Sequence, residues 1–155
     1  MMINYFAYGS NMLPSRLFDR DIAISSFKPV KLQHYELTFN KKSKKDPKVG
    51  FANIVPKWGS SVEGVLFQME ESELIKLDKF EGYPEHYQRL IVGPIIFTDE
   101  IANNTSAITY VSTVKYSSKE NLPVTEQYAS YLIKGSMILS EAYRTELTAK
   151  MHVNI

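Results

Sequence analysis

The sequence predicts an α+β fold built on a small mixed β-barrel or a highly curved sheet. Apolar runs separated by turn residues indicate about seven short strands. Few helical segments lie between those runs, which argues against the alternating βαβ units of a parallel sheet. The chain has 155 residues and a hydrophobic fraction of 44%, enough for one substantial core. We therefore expect a single domain over residues 1–155.

The composition argues against several classes of protein. The net charge of +1 provides no overall attraction for nucleic acid or for an anionic membrane. Because the chain has no cysteine, it has neither a disulfide framework nor a thiolate nucleophile. No signal-peptide pattern or membrane-spanning apolar run is present. We expect a cytoplasmic protein that binds neither nucleic acid nor membrane, as a monomer or a homodimer.

The first turn of the chain is a candidate binding site. An apolar run over residues 3–8 predicts a buried strand, which stops at Gly9-Ser10-Asn11, and Pro14 stands where a helix commonly begins. A strand that leads through such a turn into a helix leaves several backbone N–H groups without partners. These groups suit a carboxylate or a carbonyl oxygen. The same pattern also fits an ordinary connection between a strand and a helix.

The segment after this turn is predicted to form strands around a basic loop. A short helix over 13–19 is followed by strands over 22–24 and 30–40, and neither face of the second strand is cleanly apolar. A phosphate-binding patch would explain the lysines that follow, but no aromatic residues interleave them, so we predict a solvated hairpin loop. The lysines of this loop are Lys41, Lys42, Lys44, Lys45 and Lys48.

The middle of the chain changes from strands to a helix. We predict a strand over 49–55, a turn over 56–61 and a strand over 62–69. Apolar residues then recur every three positions, which predicts a short amphipathic helix with Ser72 near its start. Gly82 suits the C-cap of this helix, and Pro84 prevents its continuation.

Glu81 lies at the C-terminal end of the predicted helix, where the helix dipole disfavours a negative charge. The neighbouring Phe80 and Tyr83 would also desolvate its carboxyl. Both effects raise a carboxyl pKa and make the carboxylate a stronger base. The alternative is a residue at the helix end that faces water.

Other catalytic arrangements have little support in the sequence. Hydrolysis by Ser10 would need a histidine and an acid around it, and the three histidines (His34, His86 and His152) form no recognisable arrangement. No spacing typical of a metal site is present, and we expect no cofactor. His86 is an alternative base, although an exposed loop histidine is the interpretation that we favour.

Three stretches resemble the γ-glutamylcyclotransferase-like family. They are Tyr8-Gly9-Ser10-Asn11-Met12, Gly64-Val65-Leu66-Phe67-Gln68-Met69 and Leu77-Asp78-Lys79-Phe80-Glu81-Gly82-Tyr83. The resemblance implies a small mixed β-barrel with flanking helices. It also implies an enzyme that binds a small γ-glutamyl compound and cyclises it, releasing 5-oxoproline and the free amine. The substrate's own α-amine would be the nucleophile, so no covalent nucleophile is required.

The resemblance also implies roles for single residues. Glu81 matches the catalytic acid/base, and Tyr8, Gly9, Ser10 and Asn11 match the loop that holds the γ-glutamyl moiety. Tyr87, Tyr110 and Tyr128 fall at pocket-lining positions. Packing within a strand would explain Tyr110 equally well, and packing of a helix would explain Tyr128 equally well. The Ser10-Asn11 pair favours a γ-glutamyl amino acid as substrate. The alternatives are a γ-glutamylamine, a biosynthetic intermediate, or a catalytically silent binding module.

The sequence departs from the family pattern after Gly135. Members commonly have a second glycine turn and a proline there, and the second glycine is missing from this sequence. We therefore expect a differently shaped link to the last helix, over 141–151, and an altered pocket rim.

Overall fold

The computed structural model of the chain describes residues 1–97, 100–101, 105–151 and 153–154, and it has an α+β fold. The main sheet has the spatial order β4-β7-β1-β3-β2-β5-β6, in which β1 and β7 are parallel and all other neighbours are antiparallel. Its strands are β1 (Met2–Ala7), β2 (Ser26–Lys42), β3 (Gly50–Glu70), β4 (Tyr87–Val92), β5 (Ile95–Phe97), β6 (Glu100–Ile101) and β7 (Ala107–Ser112). The predicted α+β class and the mixed, curled sheet are confirmed.

Four α-helices accompany the sheet in the described ranges: α1 (Pro14–Asp19), α2 (Glu71–Glu81), α3 (Glu126–Gly135) and α4 (Glu141–Lys150). Short 3₁₀ segments cover Ser10–Met12, Val114–Tyr116 and Ser136–Ile138. A small parallel sheet pairs β8 (Val124–Thr125) with β9 (Val153–Asn154). None of the helices described here is long and apolar enough to cross a membrane.

Strands β2 and β3 form one long hairpin, with 17 and 21 residues, through the middle of the sheet. At the first of two register shifts, Gln33 pairs with Ser61 and Tyr35 pairs with Pro56, so that residues 57–60 bulge out of the ladder. The turn that we predicted for this stretch is wrong, because both of its flanks remain paired with the same strand.

The predicted strand over 22–24 is also wrong. The N–H of Ile22 donates to the Leu17 carbonyl at 3.0 Å, and the N–H of Ala23 donates to the Glu73 carboxylate at 3.1 Å. The end of α1 and a side chain of α2 therefore take up backbone groups that a strand would give to a neighbouring strand. The segment links α1 to β2, and the Ile22 side chain is buried.

Helix α2 has the predicted limits. It begins at Glu71, next to Ser72, and ends at Glu81. Gly82 follows as the C-cap in the left-handed conformation, with φ 65° and ψ 33°, and its N–H donates to the Asp78 carbonyl. Glycine takes this conformation without a steric penalty, so the sequence pattern alone located the end of the helix.

Two close contacts hold the start of the chain in place. A Cβ atom at Gly64 on β3 would overlap the Ala7 carbonyl oxygen and stand 2.7 Å from Phe6 Cε1. A Cβ atom at Gly135, at the end of α3, would stand 2.9 Å from Met12 Cβ. Strand β1 is thus packed against β3 and the turn that follows it against α3, in an interior with no room for an added methyl group.

We expect Gly64→Ala to lower the free energy of unfolding by about 2 kcal/mol, because overpacking a close-packed interior typically costs this much. Chemical denaturation would measure the change. Ser61→Ala, at an exposed position of the same strand, is the control and should leave the stability unchanged. A Gly64→Ala protein as stable as the wild type would contradict the importance of this contact.

Candidate active site

The eight site residues singled out from the sequence line one cavity of about 520 Å³. They come from the turn after β1, the end of α2, β4, β7 and α3. A cavity of this size accommodates a small metabolite. The eight residues are Tyr8, Gly9, Ser10, Asn11, Glu81, Tyr87, Tyr110 and Tyr128. The roles that the family resemblance implies for them stay predictions.

Asn11 connects the turn to the end of α2. Its Nδ2 donates to Glu81 Oε1 at 2.6 Å and to Tyr5 Oη at 3.0 Å. Its Oδ1 accepts a hydrogen bond from Arg20 Nη1 at 3.0 Å. Because the arginine can only donate, it fixes the orientation of the amide and turns the NH₂ group towards the carboxylate.

The Glu81 side chain is half-buried, and the cavity wall encloses its carboxyl. Burial raises its pKa above the ordinary value of 4.5, and this effect outweighs the nearby cations and the Asn11 hydrogen bond, which lower it. Phe80 and Tyr83, which we expected to desolvate it, keep 53% and 42% of their surface exposed. The enclosing groups are instead cavity tyrosines such as Tyr5 and Tyr8. Among the described residues no donor reaches Oε2, so this oxygen is free to take a proton.

Tyr87 and Tyr128 are both anchored to the backbone of Ala52. Tyr87 Oη donates to the Ala52 carbonyl at 2.8 Å, and Tyr128 Oη accepts from the Ala52 N–H at 3.0 Å. The O–H of Tyr128 has no acceptor within the described part of the chain, and this hydroxyl lies beside Gly9. Burial raises the pKa of both phenols, so Tyr128 stays protonated and can donate to a ligand.

Tyr8 and Tyr110 shape the wall but have their hydroxyls occupied. Tyr8 Oη donates to the Tyr110 carbonyl, and Tyr110 Oη donates to Asp78 Oδ1 at 2.6 Å. Asp78 also receives two hydrogen bonds from Arg89, at 3.0 and 2.6 Å. Tyr110 is therefore a core residue and a cavity residue at once, which unites the two interpretations that the sequence left open.

The turn after β1 forms the 3₁₀ segment Ser10–Met12, in which the Met12 N–H donates to the Gly9 carbonyl at 3.0 Å. Within the described ranges no acceptor faces the backbone N–H groups of Gly9 and Ser10. Both residues line the cavity. The turn can therefore receive a carboxylate or a carbonyl oxygen, as the sequence pattern indicates.

Lys41 is the most informative residue that the sequence analysis misplaced. It is not in a solvated loop but at the end of β2, 3% exposed, with its Nζ 5.1 to 5.7 Å from the ring centres of Phe51, Tyr87 and Tyr116. The signal was available, because buried positions alternate along β2 at Leu37, then Phe39, then Lys41. Lys44, Lys45 and Lys48 are exposed in the hairpin loop, as predicted.

His86 is not the exposed loop residue that we favoured. It is half-buried on the cavity wall, its Nδ1 lies 3.0 Å from Lys41 Nζ, and its ring stacks on Tyr116 with centres 3.8 Å apart. Burial and Lys41 lower its pKa, so that it is neutral and accepts from the lysine. His34 stacks on Trp58 away from the cavity lining, and His152 lies outside the described residues.

The chain is similar to known proteins over most of its length. Residues 5–131 match the family described as gamma-glutamyl cyclotransferase, AIG2-like. A Mus musculus protein named gamma-glutamylcyclotransferase is 28% identical over 150 residues, which cover 94% of this chain and 77% of that protein. A Bos taurus protein of the same name is 37% identical over 81 residues, which span 50% of this chain and 43% of the bovine protein. A solved structure named gamma-glutamyl cyclotransferase superposes with a TM-score of 0.84 at 27% identity, over 99% of this chain and 90% of the other.

We expect Glu81→Gln to be at least as stable as the wild type at pH 7. Because folding raises the pKa of Glu81, the wild type is stabilised by its protonated form and loses that stability as the pH rises from about 4.5 through the folded pKa. The glutamine is neutral at every pH and keeps an oxygen for the Asn11 hydrogen bond.

Thermal melts from pH 4 to pH 8 would measure this effect, with Glu85→Gln as the control. The melting temperature of Glu81→Gln minus that of the wild type should be positive at pH 7 and shrink on acidification. A difference that is negative at pH 7 would mean that the cations around Glu81 outweigh its desolvation. Glu85 is exposed and outside the cavity lining.

Proposed function

The chain belongs to the gamma-glutamyl cyclotransferase, AIG2-like family, and we propose that it is a cofactor-independent γ-glutamylcyclotransferase acting on a γ-glutamyl amino acid. The observation that carries this proposal is the desolvated Glu81 carboxylate, held through one oxygen by Asn11 with the other oxygen free, on the wall of a cavity of about 520 Å³. The Ser10-Asn11 pair supports an amino acid as the leaving group.

The proposed reaction needs no nucleophile from the protein. The substrate's α-nitrogen attacks its own γ-carbonyl carbon and closes the five-membered lactam of 5-oxoproline, while the bond from that carbon to the leaving nitrogen breaks. The α-nitrogen loses two protons in all, one before it attacks and one as the lactam forms, and the leaving nitrogen gains two and departs as an ammonium. The protein therefore has to move these protons and hold the substrate folded, so that the two reacting atoms meet.

We assign the transfer of protons to Glu81. Its free Oε2 takes the first proton from the α-ammonium and passes it to the leaving nitrogen, so that the carboxylate is restored. The second proton then passes from the lactam nitrogen to the freed amine through the same carboxylate. A raised carboxyl pKa makes Glu81 a stronger base towards the α-ammonium, and a pKa nearer to the operating pH suits a group that must both accept and return a proton. General acid–base catalysis of this kind contributes roughly 10²–10⁴-fold to a rate.

Besides moving protons, the site must stabilise the negative charge on a substrate oxygen. We assign this role to the N–H groups of Gly9 and Ser10 and to the free hydroxyl of Tyr128. They would bind either the α-carboxylate or the γ-carbonyl oxygen. Hydrogen-bond donors that are already in place before the reaction stabilise this charge more than donors that must reorganise. Ala52 holds the Tyr128 hydroxyl in position through its N–H, at 3.0 Å.

We expect Glu81→Gln to lower turnover by roughly 10²–10⁴-fold, because the amide cannot carry the proton. Release of 5-oxoproline would be measured with γ-glutamyl dipeptides, γ-glutamylamines and glutathione. Glu85→Gln is the matched control, because Glu85 is exposed and pairs with Lys115 at 3.4 Å.

Full activity of the Glu81→Gln protein would remove Glu81 from the mechanism. No 5-oxoproline release from any of these compounds by the folded wild type would count against the proposed activity. It would favour a binding module or a larger γ-glutamyl substrate.

The same proposal specifies how activity depends on pH. Since Glu81 must be ionised to accept a proton, we expect kcat/KM to fall on the acidic side with a midpoint above pH 4.5. Asn11→Ala should move this midpoint to higher pH, because the ionised carboxylate loses a charge-assisted donor. We also expect kcat/KM at neutral pH to fall by roughly 10- to 100-fold, the usual cost of such a bond.

Steady-state rates between pH 4 and pH 9 would measure the midpoint in both proteins. A midpoint that moves to lower pH in Asn11→Ala would contradict our assignment of the acidic fall in kcat/KM to Glu81. Thermal melts of the same samples at each pH would separate a change in titration from unfolding.

A further inference from the structure

The cavity walls carry more positive charge than the proposed chemistry uses. Among the described residues, the lining contains one carboxylate, that of Glu81. A γ-glutamyl group adds one α-carboxylate and one α-ammonium, which balance each other. The lining also contains six cationic side chains, which are Arg16, Arg20, Lys41, Lys44, Lys45 and Lys79.

The six cationic side chains come from different elements and make different contacts. Arg20 holds Asn11 and lies over the Phe80 ring at 4.8 Å, so it belongs to the network that orients Glu81. Arg16 lies over the Tyr131 ring at 4.1 Å. A second group stands at the end of β2 and in the loop between β2 and β3. We call this group the lysine wall, and it consists of Lys41, Lys44 and Lys45.

Lys41 is held in a specific position. Its Nζ donates to the Lys42 carbonyl at 2.7 Å and lies 3.0 Å from His86 Nδ1. A lysine ammonium has three N–H groups, and the third has no acceptor within the described ranges. No carboxylate of the described residues forms an ion pair with it. Burial lowers its pKa to about 8, so the amine is still mainly protonated at pH 7.

Glu81 attracts Lys41 without forming an ion pair with it. A buried cation with no carboxylate in direct contact binds an anion more strongly than an exposed one does, because less water screens the attraction. Lys44 and Lys45 are exposed, and they extend the positive field from Lys41 towards solvent. The turn after β1 takes the γ-glutamyl part of the substrate in the proposed function. The lysine wall lines the same cavity, and we infer that it meets the leaving part.

We propose that the lysine wall is an anion subsite for the leaving amine, and that it selects γ-glutamyl amino acids whose leaving residue has an acidic side chain. This inference rests on the proposed function and narrows its substrate class. The leaving residue's α-carboxylate and its side-chain carboxylate would bind near Lys41 and the two exposed lysines. A γ-glutamylamine with an uncharged amine part has nothing to place there.

The test compares γ-glutamyl-glutamate with γ-glutamyl-glutamine, which have nearly the same shape and differ by one negative charge. We expect the wild type to favour γ-glutamyl-glutamate by at least about tenfold in kcat/KM, the lower end for a hydrogen bond to a charged group. Lys41→Met keeps an unbranched side chain without the charge. It should reduce the preference to below about threefold, mainly by raising KM for the acidic substrate.

Two further variants, both at exposed positions, test the subsite without changing a buried side chain. Lys48→Met is the matched control, because Lys48 lies in the same loop, is exposed and does not line the cavity, so the preference should stay at the wild-type value. The double variant Lys44→Met with Lys45→Met changes exposed residues and should lower the preference several-fold. Equal kcat/KM for the two substrates in the wild type, or an unchanged preference in both Lys41→Met and the double variant, would overturn the subsite.

Calorimetric binding to the Glu81→Gln protein separates this inference from the proposed function. Tighter binding of γ-glutamyl-glutamate than of γ-glutamyl-glutamine, lost in Glu81→Gln with Lys41→Met, would support the subsite even if the wild type showed no turnover. If the wild type turns over both substrates and the Glu81→Gln protein binds both with equal affinity, the subsite is rejected, whereas the proposed cyclotransferase activity is still supported.

Discussion

The site depends on one hydrogen bond, from Asn11 Nδ2 to Glu81 Oε1 at 2.6 Å, which joins positions 70 apart in the chain. Each end of the bond needs its own support. Asn11 stands in a turn that α3 approaches closely at Gly135, and β3 approaches the preceding strand β1 at Gly64. Glu81 stands where Gly82 ends α2 in the left-handed conformation. If either support moved by an ångström, the bond would be lost and the carboxylate would be buried without its partner.

The electrostatics of the cavity balance two opposing effects. Burial among tyrosines disfavours the charge on Glu81, whereas Arg20, Asn11 and Lys41 favour it. The result is a carboxyl with a raised pKa that can still ionise, the property expected of a group that both accepts and returns a proton. Backbone groups hold the hydroxyls of Tyr8, Tyr87 and Tyr128, the last two through Ala52, and Asp78 holds that of Tyr110. The wall is therefore organised before any ligand arrives.

Local patterns predicted those elements whose cause is local. The period of α2, its glycine cap and the strand that enters the first turn follow from residues within a few positions of one another. The errors came where a distant partner decides. Residues 57–60 bulge because both flanks stay paired with β2, and 22–24 bind to helices instead of a strand. Lys41 and His86 were predicted to be exposed, yet the Tyr116 ring that covers both comes from a distant segment. For Lys41 the alternation of buried positions along β2 was a signal that we did not use.

By itself the sequence determined the fold class, the similarity to one family and the eight candidate residues, since each depends on short motifs and their order. Only the tertiary structure decided that these residues share a cavity and that Lys41 joins them. It also decided which hydroxyls are free. Tyr87 and Tyr128 look equivalent in the sequence, yet one donates to Ala52 and the other accepts from it. Hydrogen-bond partners and burial are set by packing between distant segments, which a local pattern does not contain.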